Sequence, residues 1–452
     1  MTQPLLYIPV VRRLFDAKTA DERYTQMLTL LQDAAVVTPP HNLGDLDELA
    51  DYLTAVHDQG PFAGIIFHNT SFTGAEFIEA VHAQFPTTPM LLVASKEPSL
   101  GGWLRLNGSI GLMSTGNYLH THAHAFTFAY GDPTDQAVIK QTQTFIQAAT
   151  LRAKLAALTI GVVGTFPTGF AFSGTDEAKL AATFGTQLIH YRTQTAFQAA
   201  EALPQAAYAD ELTYAAAHFD DLDLTLPETT RYVKFVALMR QWAKRDGFKA
   251  LASRCWPDFF DDYHAAPGAV WSQLCDEGLP TAMECDIHGA LSEYILQQLV
   301  APSAPVDMLD LISSLDPVDN TISAWHDYAA FAHANLKYGV KASVHPNRKM
   351  PVSPQFVLKP GVVTMLRVSV DAKGAYSLVA LRGKAIDAPA QFDGVSARIQ
   401  LEQPVETVFD ALIDHGTEQH FALVYGDVIA GIAALGKLLQ LPTTIYANQE
   451  VR

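Results

Sequence analysis

Phe62–Phe67 reads FAGIIF, a continuously apolar run between two amphipathic stretches, Asp45–His57 and Glu76–Phe85. A short run of this kind predicts a strand buried on both faces, and the amphipathic stretches predict helices. Buried strands that alternate with helices favour a parallel sheet covered on both sides. The same alternation predicts further strands at Leu5–Val11, Ala35–Thr38 and Pro89–Ala94, and a further helix at Thr19–Asp33. The glycine-rich segment Gly101–Asn117 is predicted to be a loop.

A second region of alternating strands and helices begins near Leu158, and the last third of the chain has a different, β-rich pattern. The second region predicts strands at Thr159–Gly164, Thr186–Tyr191, Lys249–Cys255 and Thr281–Cys285, with helices at Asp176–Phe184, Glu211–His218, Glu228–Asp246 and Ile287–Val300. The last third contains alternating β-rich segments at Val362–Val370, Ala375–Ala380 and Ser396–Leu401, and a closing helix at Asp427–Leu439. We therefore predict two successive open parallel-sheet α/β domains, residues 1–157 and 158–301, followed by a β-rich, barrel-like C-terminal domain, residues 302–452.

Composition excludes several classes of function. The 452 residues include 47 Asp and Glu against 30 Lys and Arg, so the net charge is −17 and general nucleic-acid binding is not expected. No apolar run approaches the roughly 18–20 residues of a membrane-spanning helix, and no basic segment precedes the apolar N-terminal run as in a signal peptide. Cys255, Cys275 and Cys285 fit neither a disulfide framework nor a zinc pattern, so a cytoplasmic protein is expected.

The first candidate site is the acidic segment that follows the predicted strand Thr281–Cys285. Glu284 and Asp286 stand where this strand ends and a helix begins. Ligands of open α/β sheets bind beyond the carboxyl ends of the strands, so functional acids are expected there. The alternative is that Asp286 only caps the helix and that Glu284 is solvated.

Three further residues extend this candidate site. The turn-rich segment 316–320 predicts a hairpin that brings Asp310 close to His326, and His420 precedes a predicted strand in the C-terminal region. The turn needs no functional reason, and a lone histidine is most often structural. Taken with Glu284, however, these residues form a set of two carboxylates and two imidazoles, which suits a divalent ion such as Mn²⁺ or Mg²⁺.

Two other patterns carry less weight. His120, His122 and His124 alternate, so in a strand they would share one face and could ligate a metal, although no acid accompanies them and packing is the alternative. The glycine-containing segment Gly161–Gly169 is similar to a nucleotide-binding loop, but it lacks the GxGxxG and GxxxxGK[ST] patterns. A turn at a domain boundary is the preferred interpretation.

The segments Arg105–Gly111, Gly161–Gly164, Ala252–Pro257, Asp276–Pro280, Glu284–Leu291, Asn320–His326 and His420–Asp427 together form a recognisable pattern. On these segments the chain resembles the L-fucose isomerase / L-arabinose isomerase superfamily of ketol isomerases over nearly its whole length. It implies that Glu284 and Asp310 are metal-binding catalytic acids and that His420 is a metal ligand. Asp307 stays open as an alternative second acid, and His326 corresponds to a metal ligand in the arabinose branch.

The resemblance also implies a function. It implies a Mn²⁺-dependent aldose–ketose isomerase that acts on a monosaccharide similar to L-fucose or L-arabinose through a cis-enediol. An anionic sugar such as sulfoquinovose and a non-catalytic cytoplasmic sugar-binding protein are the alternatives. Arg348, Lys349 and Arg367 are cations available for an anionic sugar, although solvation at the surface is their expected role.

Further sugar contacts and the oligomeric state follow from the same resemblance. Trp325, Tyr425 and Trp256 are candidate aromatic platforms for the sugar, with core packing as the alternative. Family members form homo-oligomers, commonly hexamers, so a hexamer or trimer is expected. Arg105 and Asn107 are then candidate sugar contacts across a subunit interface.

Overall fold

The computed structural model describes residues 3–448, except for the side chains of residues 313–315. The chain forms two compact units. Among the described residues, the first consists of residues 3–155 together with Ala433–Leu441, and the second consists of Ala156–Ile432 and residues 442–448. Their strands form three sheets, of which two are parallel and the third closes into a barrel. The predicted fold class is therefore confirmed.

The first sheet is parallel and has the strand order β2-β1-β3-β4-β5. This is a doubly wound order, with helices between successive strands. The strands are β1 (Leu5–Val10), β2 (Val36–Val37), β3 (Ile65–Asn69), β4 (Met90–Ala94) and β5 (Phe126–Tyr130). The helices are α1 (Ala17–Leu31), α2 (Leu46–Val56), α3 (Glu76–Gln84), α4 (Gly108–Thr121) and α5 (Gln136–Ala156).

Helix α4 corrects the prediction of a loop over Gly101–Asn117. Gly108, Gly111 and Thr115 lie on its buried face. A Cβ atom on Gly108 would lie 2.5 Å from the carbonyl oxygen of Ser95, so this glycine allows close helix packing rather than a loop. His120, His122 and His124 do not form a strand, the arrangement in which they would share one face, because His120 lies in the last turn of α4 and His122 caps the helix.

The second sheet is parallel, with the order β7-β6-β8-β9. Its strands are β6 (Thr159–Val163), β7 (Gln187–Tyr191), β8 (Ala250–Ser253) and β9 (Thr281–Ala282). The helices of this region are α6 (Glu177–Phe184), α7 (Thr193–Glu201), α8 (Ala209–His218), α9 (Pro227–Asp246), α10 (Asp258–Asp261), α11 (Gly268–Asp276) and α12 (Ile287–Val300). Helix α12 is buried on nearly every side because it packs against strands of both this sheet and the barrel.

The third sheet contains a closed ring of six antiparallel strands in the order β16-β11-β10-β17-β14-β15, closed by pairing between β15 and β16. Strands β13 and β18 add to it in parallel, and β12 pairs with β13. The strands are β10 (Asp307–Asp316), β11 (Thr321–His326), β12 (Lys341–Val344), β13 (Pro351–Val357), β14 (Gly361–Val370), β15 (Tyr376–Ala385), β16 (Val395–Leu401), β17 (His420–Tyr425) and β18 (Thr443–Tyr446). The remaining helices are α13 (Val405–Asp414) and α14 (Ile429–Leu439).

The register of the barrel brings several predicted site residues together. Asp310 on β10 lies opposite Trp325 on β11 and opposite His420 on β17. The predicted hairpin between Asp310 and His326 is therefore present. The barrel thus places Asp310 between the aromatic residue Trp325 on one neighbouring strand and His420 on the other.

Cys255, Cys275 and Cys285 are free, buried thiols. Within residues 3–448, no helix combines the length and the apolar character needed to cross a bilayer.

Candidate active site

Glu284 lies in a strained connection between β9 and α12. Glu284 and Cys285 both have φ values of +56°, and the left-handed region is unfavourable for residues other than glycine. The predicted strand Thr281–Cys285 therefore ends at Ala282, and the chain turns sharply before α12. Oε1 of Glu284 accepts a hydrogen bond of 2.8 Å from the indole Nε1 of Trp256, which orients the carboxylate.

The second oxygen of Glu284 points toward the barrel residues. Its Oε2 lies 3.2 Å from Nε2 of His420, and Oδ1 of Asp310 lies 3.6 Å from the same nitrogen. The potential ligand atoms of Asp310, His326 and His420 all lie within 4.8 Å of one another. The structure thus brings together the four residues that the sequence singles out as metal ligands.

Each of the two histidines is oriented by an aspartate; the sequence places Asp286 in the acidic candidate segment, whereas Asp327 is not predicted. Nδ1 of His420 lies 2.8 Å from Oδ2 of Asp286, and Nδ1 of His326 lies 2.7 Å from Oδ1 of Asp327. A carboxylate at Nδ1 stabilises the tautomer that carries its proton there, and Nε2 is then free to bind a metal. The short spacing of Asp286 from Glu284 and of Asp327 from His326 is the sequence signal for these partners.

Asp286 is held in turn by Arg367, whose expected solvation is a wrong prediction. Arg367 is completely buried, and its Nη1 lies 2.5 Å from Oδ2 of Asp286. Asp286 also accepts the backbone N–H of Gly289 at the start of α12, so its predicted capping role is present too. Burial raises the pKa of Asp286, but the charge of Arg367 and the hydrogen bond with His420 outweigh it and lower the pKa.

The donor set fits a divalent metal ion. Oε2 of Glu284, Oδ1 of Asp310 and Nε2 of His420 are buried without a hydrogen-bond partner among the described residues. Buried polar atoms normally have a hydrogen-bond partner, so three neighbouring potential ligand atoms without one indicate a site for a cation. Burial lowers the pKa of His420, whereas the carboxylates of Asp286 and Glu284 raise it, to about 10, which shows that this environment favours positive charge.

Asp307, the alternative second acid, is engaged elsewhere. Its carboxylate is fully buried, 2.8 Å from Nδ1 of His333, and it also accepts the backbone N–H of Ala330. The register places Asp310, rather than Asp307, opposite His420. The geometry therefore favours Asp310 as the second acid.

A cavity of about 390 Å³ opens beside these residues. This volume lies within the range of small-molecule sites. The cavity is lined by Cys255, Trp256, Phe260, Pro267, Met283, Glu284, Asp310, Trp325, His326, Asp327, His345, Asn347 and Arg348. Arg348, for which solvation was expected, thus faces the same cavity as the acid pair.

The predicted sugar-contacting residues have different surroundings. Trp325 lines the cavity and donates its indole N–H to the carbonyl oxygen of Asp393. The hydroxyl of Tyr425 donates to the carbonyl oxygen of Lys359, and Tyr425 is not among the residues that line the cavity. A sugar contact of Tyr425 stays a prediction.

Arg105 and Asn107 lie in the first compact unit, before helix α4. The guanidinium of Arg105 forms an ion pair with Asp16 and a hydrogen bond with the hydroxyl of Thr19. Asn107 has a φ value of +52° and directly precedes the helix. A role of either residue in binding sugar stays a prediction.

Comparison with known proteins shows similarity along the whole chain. Residues 351–446 match the family model described as L-fucose isomerase, C-terminal domain. The chain is 34% identical to the sulfoquinovose isomerase of Priestia megaterium, with 98% of this chain and 99% of that protein covered. It is also 34% identical to the sulfoquinovose isomerase of Alkalicoccus urumqiensis and 32% identical to that of a Clostridium species, with 97% of this chain and 98% of each relative covered.

Proposed function

Because the chain belongs to the L-fucose isomerase-like superfamily, we propose that this aldose–ketose isomerase converts sulfoquinovose to the corresponding ketose. The predicted reaction class, a sugar isomerase, is confirmed by this membership, whereas the alternative of a non-catalytic sugar-binding protein is not supported. The choice of substrate favours the anionic alternative over L-fucose and L-arabinose. Its support is the name shared by relatives that match almost the full length of the chain.

The observation that carries the catalytic proposal is that three buried potential metal-ligand atoms lie close together without hydrogen-bond partners. Oε2 of Glu284, Oδ1 of Asp310 and Nε2 of His420 face one another beside the cavity. With His326, these residues would hold a divalent ion, for which Mn²⁺ is our proposal. When bound, such an ion supplies Lewis-acid stabilisation of the negative charge that develops on the sugar oxygens.

Glu284 and Asp310 are proposed to move the protons. Isomerisation requires a proton to pass between C2 and C1 and another to pass between the two oxygens, through a cis-enediol. A carboxylate positioned on such a proton contributes roughly 10²–10⁴-fold to the rate. The hydrogen bond from Trp256 to Oε1 of Glu284 supports this role, because it leaves the other oxygen of that carboxylate directed at the cavity side.

Several finer properties belong to the same proposal. The protein is proposed to act in the cytoplasm as a homo-oligomer, a hexamer or a trimer. Arg105 and Asn107 are proposed to contact sugar across a subunit interface, and residues 1–157, 158–301 and 302–452 are proposed as the domain boundaries. The family resemblance supports the homo-oligomer and the interface contacts, and the division of the described strands into three sheets supports the domain boundaries.

Metal reconstitution with a sugar panel tests the proposed function. Protein stripped with a chelator is incubated with Mn²⁺, with Mg²⁺ or without metal, and ketose formation from sulfoquinovose, L-fucose, L-arabinose and D-glucose is measured by chromatography. Mn²⁺-dependent turnover that is fastest with sulfoquinovose is expected. Faster turnover of a neutral sugar would overturn the proposed substrate, and full activity without metal would overturn the proposed metal dependence.

A further inference from the structure

Arg348 stands at the tip of a short hairpin whose conformation is tightly defined. The hairpin joins β12 to β13, and its tip consists of residues 345–350. The backbone N–H groups of Asn347 and Arg348 donate to Nδ1 of His345, at 3.3 and 3.2 Å. The backbone of His345 also bonds to those of Lys349 and Met350. The position of Arg348 is therefore defined by a buried histidine rather than by a free loop.

The same histidine connects this tip to the metal-binding side of the cavity. Nε2 of His345 lies 3.5 Å from Oδ2 of Asp327, and the other oxygen of Asp327 binds His326. Asp327 thus links the hairpin tip and a proposed metal ligand. Through this shared carboxylate, the hairpin tip that carries Arg348 is connected to the proposed metal ligand His326.

The guanidinium of Arg348 packs against aromatic rings. It lies 5.8 Å from the ring centroid of Trp256 and 5.6 Å from that of Phe260. Trp256 donates its indole N–H to Glu284, so a single indole contacts both the catalytic acid and the guanidinium. The aromatic contacts hold the guanidinium beside Trp256 and Phe260, and the described residues show no ion pair between it and Glu284 or Asp310.

The charges of the cavity explain why a cation at this position matters. Glu284, Asp310 and Asp327 all contribute carboxylates to the lining, and these repel an anionic substrate. Among the described lining residues, Arg348 is the only lysine or arginine. The described part of the chain also shows no carboxylate paired with it, so its donors are available to a ligand.

We propose that Arg348 binds the sulfonate of the sugar and determines the preference of this isomerase for an anionic over a neutral substrate. This inference rests on the proposed function. With C1 and C2 of the sugar beside Glu284, the sulfonate at C6 lies at the opposite end of the six-carbon chain. The planar guanidinium presents paired N–H donors that match the oxygens of a sulfonate, as they match those of a phosphate.

The test compares two sugars that differ only in the sulfonate. Initial rates of wild type, Arg348→Met and Arg348→Lys are measured with sulfoquinovose and with 6-deoxy-D-glucose. For Arg348→Met we expect KM for sulfoquinovose to rise about 10- to 100-fold with kcat nearly unchanged, the loss typical of a hydrogen-bonded charge. Kinetic constants for the neutral sugar should stay the same, and Arg348→Lys should recover only part of the affinity because it lacks the planar fork.

Lys349→Met provides the matched control. It removes a neighbouring positive charge whose side chain is exposed and does not line the cavity, so the two KM values should not change. Equal effects of Arg348→Met on both sugars would overturn the inference, because they would show that Arg348 only covers Trp256 and Phe260.

The failure of this inference is distinguishable from failure of the proposed function. If wild type isomerises sulfoquinovose and Arg348→Met has an unchanged KM, the proposed substrate stands and the role of Arg348 is wrong. If wild type prefers the neutral sugar, both the proposed substrate and the role of Arg348 are wrong.

Discussion

Nδ1 of His420 lies 2.8 Å from Oδ2 of Asp286, and the same carboxylate oxygen lies 2.5 Å from the buried guanidinium of Arg367. A histidine of the barrel is therefore oriented by the N-cap residue of helix α12, a helix that packs against both the barrel and the second parallel sheet. The orientation of His420, which faces the proposed metal ligands Glu284 and Asp310, consequently depends on the buried ion pair of Asp286 and Arg367. This arrangement makes the site sensitive to residues that do not line the cavity.

Asp286→Asn is expected to weaken Mn²⁺ binding about 10- to 100-fold, the usual effect of losing a carboxylate partner of a metal-binding histidine. The amide stabilises the tautomer with the proton on Nε2, where the metal would bind. Titration calorimetry with Mn²⁺ measures the affinity. Asp176→Asn is a matched control, because Asp176 caps helix α6 in the same way without contacting a histidine. Unchanged affinity in Asp286→Asn would show that Asp286 does not orient a metal ligand.

Arg367→Met is expected to lower the free energy of unfolding of the metal-free protein by about 3–5 kcal/mol, because it leaves Asp286 buried without its cation. The double variant Arg367→Met/Asp286→Asn should lose less than the sum of the single losses. Urea unfolding at neutral pH measures all three variants. Arg245→Met is the control, since Arg245 forms an exposed ion pair and should contribute far less. Additive losses would contradict a direct coupling between Arg367 and Asp286.

Trp256→Phe is expected to lower kcat about 10-fold while the protein keeps its fold, because phenylalanine retains an aromatic ring but lacks the N–H that orients Glu284. Steady-state kinetics with the proposed substrate measures the change, and circular dichroism checks the fold. Trp242→Phe is the control, since Trp242 does not line the cavity. Equal kcat values for the two variants would remove the role assigned to the indole hydrogen bond.

Glu293 predicts a specific pH dependence of stability. It is fully buried on α12; burial and then the neighbouring charges of Asp307 and Asp286 raise its pKa well above the ordinary value. A raised folded-state pKa stabilises the protein below the unfolded-state pKa, and that contribution is lost as pH rises toward the folded-state value. As the pH rises from 5.5 to 8, the free energy of unfolding of Glu293→Gln should therefore increase relative to that of wild type.

Urea unfolding at these two pH values tests the prediction for Glu293. Glu406→Gln, on the exposed side of helix α13, controls for the removal of one negative charge. A stability difference between Glu293→Gln and wild type that is the same at both pH values would contradict a raised pKa of Glu293.

Much of the fold follows from local patterns in the sequence. Apolar runs such as Phe62–Phe67 predict buried strands because parallel strands need apolar side chains on both faces, and β3 indeed occupies Ile65–Asn69. The pattern fails at helix α4, where Gly108 and Gly111 suggest a loop. Small residues there serve a close approach between helix and sheet, and this reason depends on three-dimensional contacts.

The candidate site is predictable only in part. Glu284, Asp310, His326 and His420 are singled out by residue type and by family resemblance, and the structure brings them together. The role of Arg367 is not predictable from local sequence, because arginine is normally exposed and its partner Asp286 lies on a distant helix. The role of Arg348 is equally unpredictable from local sequence, since only the folded hairpin places it beside Trp256.

Glu284 and Asp310 are proposed to transfer a proton through an enediol in a metal-dependent isomerase. Mass spectrometry of the sugar after incubation of sulfoquinovose with Mn²⁺-loaded protein in D₂O tests this role. We expect a ketose with one carbon-bound deuteron from wild type, and turnover reduced by roughly 10²–10⁴-fold in Glu284→Gln and Asp310→Asn. Ketose formed without carbon-bound deuterium, at equal rates in wild type and Glu284→Gln, would contradict the proposed role.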